Sequence, residues 1–542
     1  MTSKASIRPY LNQAYLLGLL MVAVGLTLSP FLMGMSQFWL VIVWFVDALT
    51  PPFKGAGGIK TKLSRFFHNK AAVLLVAFYL MHVVGLLWTS DFQYALKDLR
   101  VKLPILVMPF VLSSMKPLDR KRFNIVMLIY VLSVFIATQF SFIRYMQHNY
   151  EDIREISHFI SHIRFCLNIV FCIAIIGWYL YNRAVKSPVP AFGVKRAIDR
   201  FLQWFLLLWF IYQIYIFESL SGYVILAAVV IASAVYAFLQ WKKGRGWRIA
   251  IGLFAVGAIA AVVAVVMSVV KPLIEVKPVD FSTLEKKTAQ GNYYWHDTIC
   301  FPIEDGKYVG LYFNRNELRE AWSMRSNMPF EGTTTNGENL ETTLARYLTS
   351  KDLRKDAEGV MALTDEDIHN IEQGVANYNN WKHPGLRARL SSTLFEYNLY
   401  RRYNNPNGGS LSQRIEFTKA SFHIIGQHPW FGVGTGDVPQ AFAQTYDEIQ
   451  SPLKEEFRFR AHNQYLAIAV AFGLVGLAFF LFVLLYPWFA SKRNHTYLYM
   501  VFLVIILLSM FPEDTLETQA GATLFAFFVS LLLFVSPASR QK

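Results

Sequence analysis

Twelve apolar runs, most of them about twenty residues long, constrain this chain more than any other feature of its 542 residues. A helix of about 20 apolar residues is long enough to cross a bilayer, and fewer suffice where interfacial aromatics end the helix. The chain is 54% hydrophobic and 16% charged, which excludes an ordinary soluble multidomain protein of this length. The runs cover residues 14–33, 36–50, 71–90, 101–114, 123–143, 163–182, 201–217, 221–240, 248–270, 462–486, 496–512 and 520–536.

These runs predict an all-α polytopic membrane protein with about twelve transmembrane helices. Residues 1–270 are expected to hold spans one to nine, and residues 461–542 spans ten to twelve. Residues 271–460 lie between spans nine and ten and are long enough to form a mainly helical loop domain in water.

The positions of the charged residues predict which way the chain crosses the membrane. The net charge is +15, and 24 cations against two acidic residues fall in the short loops that share a side with the amino terminus. The 190-residue loop instead has a net charge of −3. Cations are retained in short cytoplasmic loops, so we expect both termini in the cytoplasm and the large loop on the opposite side of the membrane. The basic excess therefore gives no reason to expect nucleic-acid binding.

Cysteine spacing gives no indication of a disulfide framework or a zinc site. Cys166 and Cys172 share one apolar run, and Cys300 stands alone in the polar loop. No metal or other cofactor is predicted.

The loop contains local signals for helices and turns. Thr364 followed by Asp367 is typical of a helix amino-terminal cap, and apolar residues at helical spacing predict a second helix from about Ser412 to Ile425. Glu304-Asp305-Gly306 predicts a turn. The spaced glycines Gly432, Gly434 and Gly436 are interpreted as a tight turn rather than a phosphate cradle, since no βαβ pattern surrounds them.

His462 is the first candidate for chemistry, because it opens span ten beside Arg458 and Arg460. A histidine at the mouth of a membrane helix can be neutral near pH 7 and accept a proton, and neighbouring cations suit an anionic ligand. Taken alone, such a histidine is more often an interfacial residue.

The residues around His462 favour a functional role for this histidine over an interfacial one. His462-Asn463-x-Tyr465-Leu466 is followed by Gly473-x-x-Gly476-Leu477 and preceded by Arg414 and by the sequence from His428 to Asp437. This pattern resembles the O-antigen ligase and polymerase superfamily of bacterial envelope glycosyltransferases. Two segments of the loop, 342–351 and 371–377, are similar to the long loop of members from Bacteroidetes-type bacteria.

The resemblance implies a GT-C-like, metal-independent glycosyltransferase that lies among the membrane lipids of the bacterial inner membrane, with its catalytic side and the large loop in the periplasm. It would take a glycan from an undecaprenyl-diphosphate carrier and join it to an acceptor, either the lipid A core or another glycan. His462 matches the motif histidine and is the candidate catalytic base. Arg414 matches the family's loop arginine, whose guanidinium can hold two phosphate oxygens.

The sequence departs from the family pattern at one cation. Where many members have Ser-Arg-x-Gly, this chain has Ser219-Leu220-Ser221-Gly222, and leucine cannot hold a diphosphate. Either another cation substitutes, with Arg164 favoured over Arg460, or the donor is held in a different way. For Arg164 an interfacial snorkelling role is an equal alternative. Asn463 is a further candidate substrate-binding residue.

Other functions remain open at this point. An O-antigen or polysaccharide polymerase and a protein O-oligosaccharyltransferase share the same donor. A twelve-span transporter is the alternative from another class, although transporters commonly consist of two matching halves and this chain divides nine plus three.

Overall fold

The computed structural model describes residues 7–50, 58–147, 153–185, 196–240, 245–276, 278–299, 301–407, 409–490 and 496–537. Cys300 and the short loops 51–57, 186–195, 241–244 and 491–495, whose cations underlie the predicted orientation, lie outside this part of the chain.

The protein is 74% helical. Its α-helices are α1 (Arg8–Leu28), α2 (Pro30–Leu49), α3 (Ile59–His68), α4 (Lys70–Val84), α5 (Phe92–Ser114), α6 (Arg120–Met146), α7 (His162–Val185), α8 (Arg196–Phe217), α9 (Leu220–Gln240), α10 (Arg245–Ile274), α11 (Arg315–Arg325), α12 (Leu340–Ser350), α13 (Ala357–Met361), α14 (Asp365–Glu372), α15 (Tyr378–Lys382), α16 (Leu386–Tyr403), α17 (Ser410–Gln427), α18 (Val438–Glu448), α19 (Gln464–Ala490), α20 (Tyr497–Ser509) and α21 (Gln519–Ser530). The two short strands β1 (Ile303–Glu304) and β2 (Lys307–Tyr308) form one antiparallel hairpin.

Eight described helices are long and apolar enough to cross a membrane, judged by length and composition. They are α1, α2, α4 with the turn to Trp88, α6, α7, α8, α9 and α19. Two shorter apolar helices cover Tyr497–Ser509 and Gln519–Val535. The predicted class, an all-α multi-pass membrane protein, is confirmed.

The boundary between the first two predicted spans was misplaced. The sequence suggested a break near residue 34, but α1 ends at Leu28 and α2 begins at Pro30. Ser29 caps α2 by accepting a hydrogen bond from Leu32 N at 3.2 Å. Proline has no N–H to donate and suits the first turn of a helix, so the chain restarts there although the apolar run continues.

Helix α5 is longer than the predicted short span 101–114. It begins at Phe92, where Asp91 caps it by accepting from Tyr94 N at 2.9 Å. The apolar run was shortened by charged residues that include Asp98 and Lys102. These two side chains form an ion pair at 2.5 Å, which offsets the cost of burying their charges within α5.

The described chain forms two compact units. The membrane unit comprises residues 1–257, 417–451 and 458–542, and the loop unit comprises residues 258–416 and 452–457. The predicted ranges 1–270, 271–460 and 461–542 concern sides of the membrane and stay a prediction.

The loop unit has its own apolar core, built around Trp322, Leu344, Tyr347 and Ile371. The predicted cap at Thr364 is confirmed, because Thr364 and Asp367 form a reciprocal capping box at the start of α14. The helix predicted from Ser412 to Ile425 is confirmed as α17. The predicted turn at Asp305-Gly306 joins β1 to β2, with a positive φ at both residues.

Candidate active site

His462 lies two residues before α19, in the segment that leads into this apolar helix. Asn463 caps the helix, since its Oδ1 accepts from Leu466 N at 3.0 Å. Asn463 Nδ2 donates to Phe511 O at 3.0 Å, so the same side chain ties α19 to the segment after α20. The predicted substrate-binding residue Asn463 thus has its side chain engaged in fixing the backbone beside the histidine.

The backbone of His462 is held in the left-handed region, with φ of +44°. Few residues other than glycine adopt this conformation, and such positions are often functional. Its ring packs against the rings of Phe417 and Phe459, with centroids 5.5 and 6.1 Å away. The side chain is 35% exposed, while its Nδ1 atom is buried and has no hydrogen-bond partner among the described residues.

Residues 513–517, called the acidic turn here, bring the predicted cations to His462. Asp514 Oδ1 lies 3.8 Å from His462 Nδ1, and the other Asp514 oxygen lies 3.6 Å from Arg460. Arg164 Nη2 lies 3.4 Å from Glu513 Oε2. Arg164, which is far from the other two in sequence, therefore meets His462 and Arg460 around one turn. Asp514 is only 8% exposed, so this carboxylate lies against protein groups rather than in open water.

Behind Asp514, a buried ion network anchors the turn to α5. Lys102 Nζ lies 2.7 Å from Glu517 Oε2 as well as 2.5 Å from Asp98 Oδ1. Arg460 donates to Tyr94 Oη at 2.6 Å and lies 3.3 Å from the same Glu517 oxygen. Burial raises the pKa of Glu517, but Lys102 and Arg460 together outweigh burial and hold that pKa below its ordinary value. Glu517 is therefore ionised and fixes two cations.

The glycine-rich turn, residues 432–436, holds α19 through backbone hydrogen bonds and is called the backbone clamp here. Val433 N and Gly434 N donate to Val470 O and Ala471 O at 3.0 and 2.9 Å. At Gly473 the helix departs from helical geometry, with φ of +64°, and a Cβ atom there would collide with the backbone of Trp430. This arrangement supports the interpretation as a tight turn. The clamp fixes the first helical turns after the histidine.

His462, Glu513 and Asp514 also have the spacing of a cation site, since their potential ligand atoms lie within 4.8 Å of one another. Both carboxylates already have a guanidinium partner, Arg164 for Glu513 and Arg460 for Asp514. These arginines offset the charge of the two carboxylates, and metal independence stays a prediction.

The membrane unit brings together His462, Arg164, Arg460 and Asn463 from the predicted site residues. Arg414 lies on α17 in the loop unit and is half-buried. Sequence reasoning missed Asp98, Lys102 and Tyr94. The i, i+4 spacing of Asp98 and Lys102 within an otherwise apolar helix was the available signal, because charges at membrane depth are usually paired and functional.

The family comparison agrees with this geometry. Residues 368–481, which include His462 and the glycine-rich turn, match the family model described as O-antigen ligase. The chain carries an O-antigen ligase domain. The matched segment is less than half of the chain, and the similarity of the loop to Bacteroidetes-type members stays a prediction. None of the curated proteins matches the chain.

Members of the O-antigen ligase family use lipid-linked glycan donors and glycan acceptors. The match therefore indicates, at the level of the family, a glycosyltransferase of the O-antigen ligase type in a multi-pass membrane protein. It removes the motivation for the transporter alternative.

Proposed function

We propose that this protein transfers a glycan from an undecaprenyl-diphosphate carrier to an acceptor sugar at the periplasmic face of the bacterial inner membrane. One observation carries the proposal. The motif histidine and two arginines meet at one turn: Asp514 lies 3.8 Å from His462 and 3.6 Å from Arg460, and Glu513 lies 3.4 Å from Arg164. A base beside fixed guanidinium groups suits proton removal next to a departing diphosphate.

In the proposed reaction, the acceptor hydroxyl attacks the anomeric carbon of the donor sugar. The bond from that carbon to the diphosphate oxygen breaks, and the oxygen leaves with the electron pair. His462 takes the hydroxyl proton, which makes the attacking oxygen a better nucleophile. The departing carrier diphosphate gains negative charge, which nearby guanidinium groups stabilise.

Asp514 is the proposed positioning residue for His462. With a proton on Nδ1, the imidazole turns that nitrogen toward Asp514 and presents Nε2 as the base. When Nε2 accepts a proton, the nearby carboxylate stabilises the imidazolium. The 3.8 Å separation fits a contact that tightens as the histidine becomes charged.

Arg164 is the proposed replacement for the missing Ser-Arg-x-Gly arginine. Its side chain is 13% exposed, and its contacts with Ser161 and Glu513 use the Nη atoms. The unpartnered Nε leaves one edge able to donate to a phosphate oxygen. Arg460 is held by Tyr94, Asp514 and Glu517, so it would contribute charge from a fixed position. Arg414 is proposed on the family pattern alone.

Reconstitution tests the function. The purified protein in lipid vesicles, supplied with undecaprenyl-diphosphate oligosaccharide, is offered lipid A core, a second lipid-linked repeat unit or a peptide acceptor in separate reactions. Transfer to lipid A core supports a ligase. Transfer only to the repeat unit or only to the peptide would instead make the protein a polymerase or an oligosaccharyltransferase, and absence of all three would remove the proposal.

Cysteine labelling tests the proposed membrane side. In a background with Cys300 replaced by serine, Glu338→Cys in the exposed part of the loop unit should react with an impermeant maleimide in intact spheroplasts. Lys121→Cys, at the start of α6, should react only after lysis. The reverse pattern would overturn the orientation.

A further inference from the structure

The loop unit contains a polar cleft of about 290 Å³ that the proposed chemistry does not use. It is lined by Pro272, Glu304, Asp305, Lys307, Arg346, Thr349, Ser350, Asn377, Asn379 and Arg387. Its volume lies near the lower end of the range for small-ligand sites. The two loop segments singled out from the sequence, 342–351 and 371–377, meet here through Arg346 and Asn377.

The floor of the cleft is rigid. Arg346 holds Glu304 through two parallel hydrogen bonds, at 2.8 and 3.0 Å, and its guanidinium lies 3.8 Å from the ring of Phe395. Asn377 donates to both Glu304 and Asp305 at 3.0 Å. A bidentate pair that also stacks on an aromatic ring is strongly oriented. These groups fix the hairpin that carries Asp305.

The rim of the cleft retains unused hydrogen-bonding capacity. Asp305 is held by neutral donors, Asn377 and Ser391, and has no cationic partner among the described residues. Arg387 is exposed and makes no hydrogen bond or ion pair within the described part of the chain. Asn379 uses Nδ2 to donate to Ser350 O at 2.8 Å, which leaves its carbonyl oxygen available. One cleft therefore offers a carboxylate acceptor, a guanidinium donor and an amide.

This combination suits a neutral sugar better than an anion. A hydroxyl group both donates and accepts, so it can donate to Asp305 and accept from Arg387 in the same pose. A phosphate or carboxylate ligand could use Arg387 but would face the charge of Asp305, because the other two cations of the lining, Arg346 and Lys307, are paired with Glu304 and Asp352.

We propose that this cleft is a glycan-binding subsite, which takes a neutral, hydroxyl-rich oligosaccharide segment of the substrate. The proposal rests on the function proposed above for the identity of the glycan. The cleft would contact sugar units of the glycan, whereas the proposed reaction concerns only the bond to the diphosphate.

Binding to the full-length protein in detergent tests the subsite without requiring catalysis. The probe is free oligosaccharide of one to three repeat units, released by mild acid from the cell's own lipid-linked glycan, and the readout is isothermal titration. Arg387→Ala is the main variant, because its side chain is exposed and its loss leaves the floor intact. Asp305→Asn is the second, since asparagine tolerates the positive φ at this position. Arg389→Ala, two residues away and outside the cleft lining, is the matched control.

Saturable binding by the wild type, weakened at least about 10-fold in both cleft variants and unchanged in Arg389→Ala, is the expected result. His462→Ala should bind like the wild type, which separates this subsite from the proposed reaction. If the protein transfers glycan but binds no free oligosaccharide, or the cleft variants bind normally, the subsite is wrong while the function stands. If the cleft binds inorganic phosphate and not the oligosaccharide, the glycan assignment is overturned.

Discussion

The membrane unit and the loop unit use the same charged residue types in different surroundings. Glu517 and Lys102 pair at 2.7 Å in the membrane unit with side chains 9% and 2% exposed, whereas Glu285 and Arg354 pair at 2.5 Å in the loop unit with side chains 57% and 41% exposed. A buried pair leaves an uncompensated charge when one partner is removed, while water solvates the remaining partner of an exposed pair. Burial, and not the distance, decides which pairs hold the site together.

The comparison extends to what each region leaves unpaired. At the candidate active site in the membrane unit, buried nitrogens on His462 and Arg164 have no hydrogen-bond partner among the described residues. At the cleft rim in the loop unit, Arg387 makes no hydrogen bond or ion pair with the described residues, and Asp305 accepts only from the neutral donors Asn377 and Ser391. The first arrangement suits chemistry that gains from a fixed, weakly solvated environment. The second suits reversible binding of a hydrated sugar.

Loss of the proposed base should give the largest effect on activity. His462→Ala and His462→Asn are expected to lower single-turnover transfer about 100-fold to 10,000-fold, the usual contribution of a general base. Asparagine tolerates the positive φ, so it keeps the backbone while removing the imidazole. His369→Ala, at an exposed histidine of α14, is the control and should transfer normally. Near wild-type transfer by a folded His462 variant would leave this histidine as an interfacial anchor and end the proposed mechanism.

Breaking the buried network should give the largest effect on stability. Glu517→Ala is expected to lower the free energy of unfolding by about 3–5 kcal/mol, because Lys102 and Arg460 lose a buried counter-charge. Glu285→Ala, the matched change at the exposed pair, should leave the unfolding midpoint nearly unchanged, because water solvates the remaining partner. Thermal unfolding midpoints in detergent measure both. Equal shifts in the two variants would contradict the role given to burial.

The lowered pKa of Glu517 also determines how the contribution of this residue to the free energy of unfolding depends on pH. A carboxyl whose folded pKa lies below its unfolded value stabilises the fold above the unfolded pKa, which is about 4.3 for glutamate. That stabilisation is lost as pH falls through the folded value. The stability gap between wild type and Glu517→Ala should therefore be constant from pH 6 to 8 and shrink under acid conditions. A gap that grows on acidification would reverse the sign argued here.

The structure of the two regions could be predicted from the sequence to different extents, for physical reasons. Long apolar runs indicate membrane helices, so these helices could be predicted. The motif around His462 could also be predicted, because its residues are contiguous in sequence. The acidic turn could be seen but not placed, since its pairing with Arg460 and Arg164 depends on how distant helices pack. The ion pairs of Lys102 were not predicted, because the charged residues that form them interrupt an apolar run. The cleft is formed by short segments that a hairpin brings together. No periodic sequence pattern predicts that these segments lie close to one another.

Arginine substitutions should produce a smaller, donor-specific effect. Arg164→Ala is expected to weaken donor binding about 10-fold to 100-fold, which corresponds to one charge-assisted hydrogen bond of about 1.5–3 kcal/mol. Arg164→Lys should restore only part of the loss, because an ammonium lacks the planar fork. Arg414→Ala should act in the same direction if the family pattern holds. Arg458→Ala, which removes an ion pair to the exposed Asp447, is the control.

Donor binding and single-turnover transfer, measured for each arginine variant, separate capture from catalysis. Full activity of Arg164→Lys would reduce this residue to a simple positive charge. Unchanged donor binding in Arg164→Ala would return it to the interfacial role that the sequence allowed equally.

Chelation should have the smallest effect, and it tests whether arginines alone supply the positive charge. The ligand atoms of His462, Glu513 and Asp514 are spaced closely enough for a divalent ion, yet Arg164 and Arg460 already pair with both carboxylates. A bound metal would have to compete with these guanidinium groups and would turn His462 from a base into a ligand. Transfer should therefore be unchanged after treatment with EDTA and dialysis, with the ion content of the protein measured in parallel. Loss of transfer that magnesium, manganese or zinc restores would show that the acidic turn binds a metal, and would replace His462 as the base with a metal-bound water or hydroxyl.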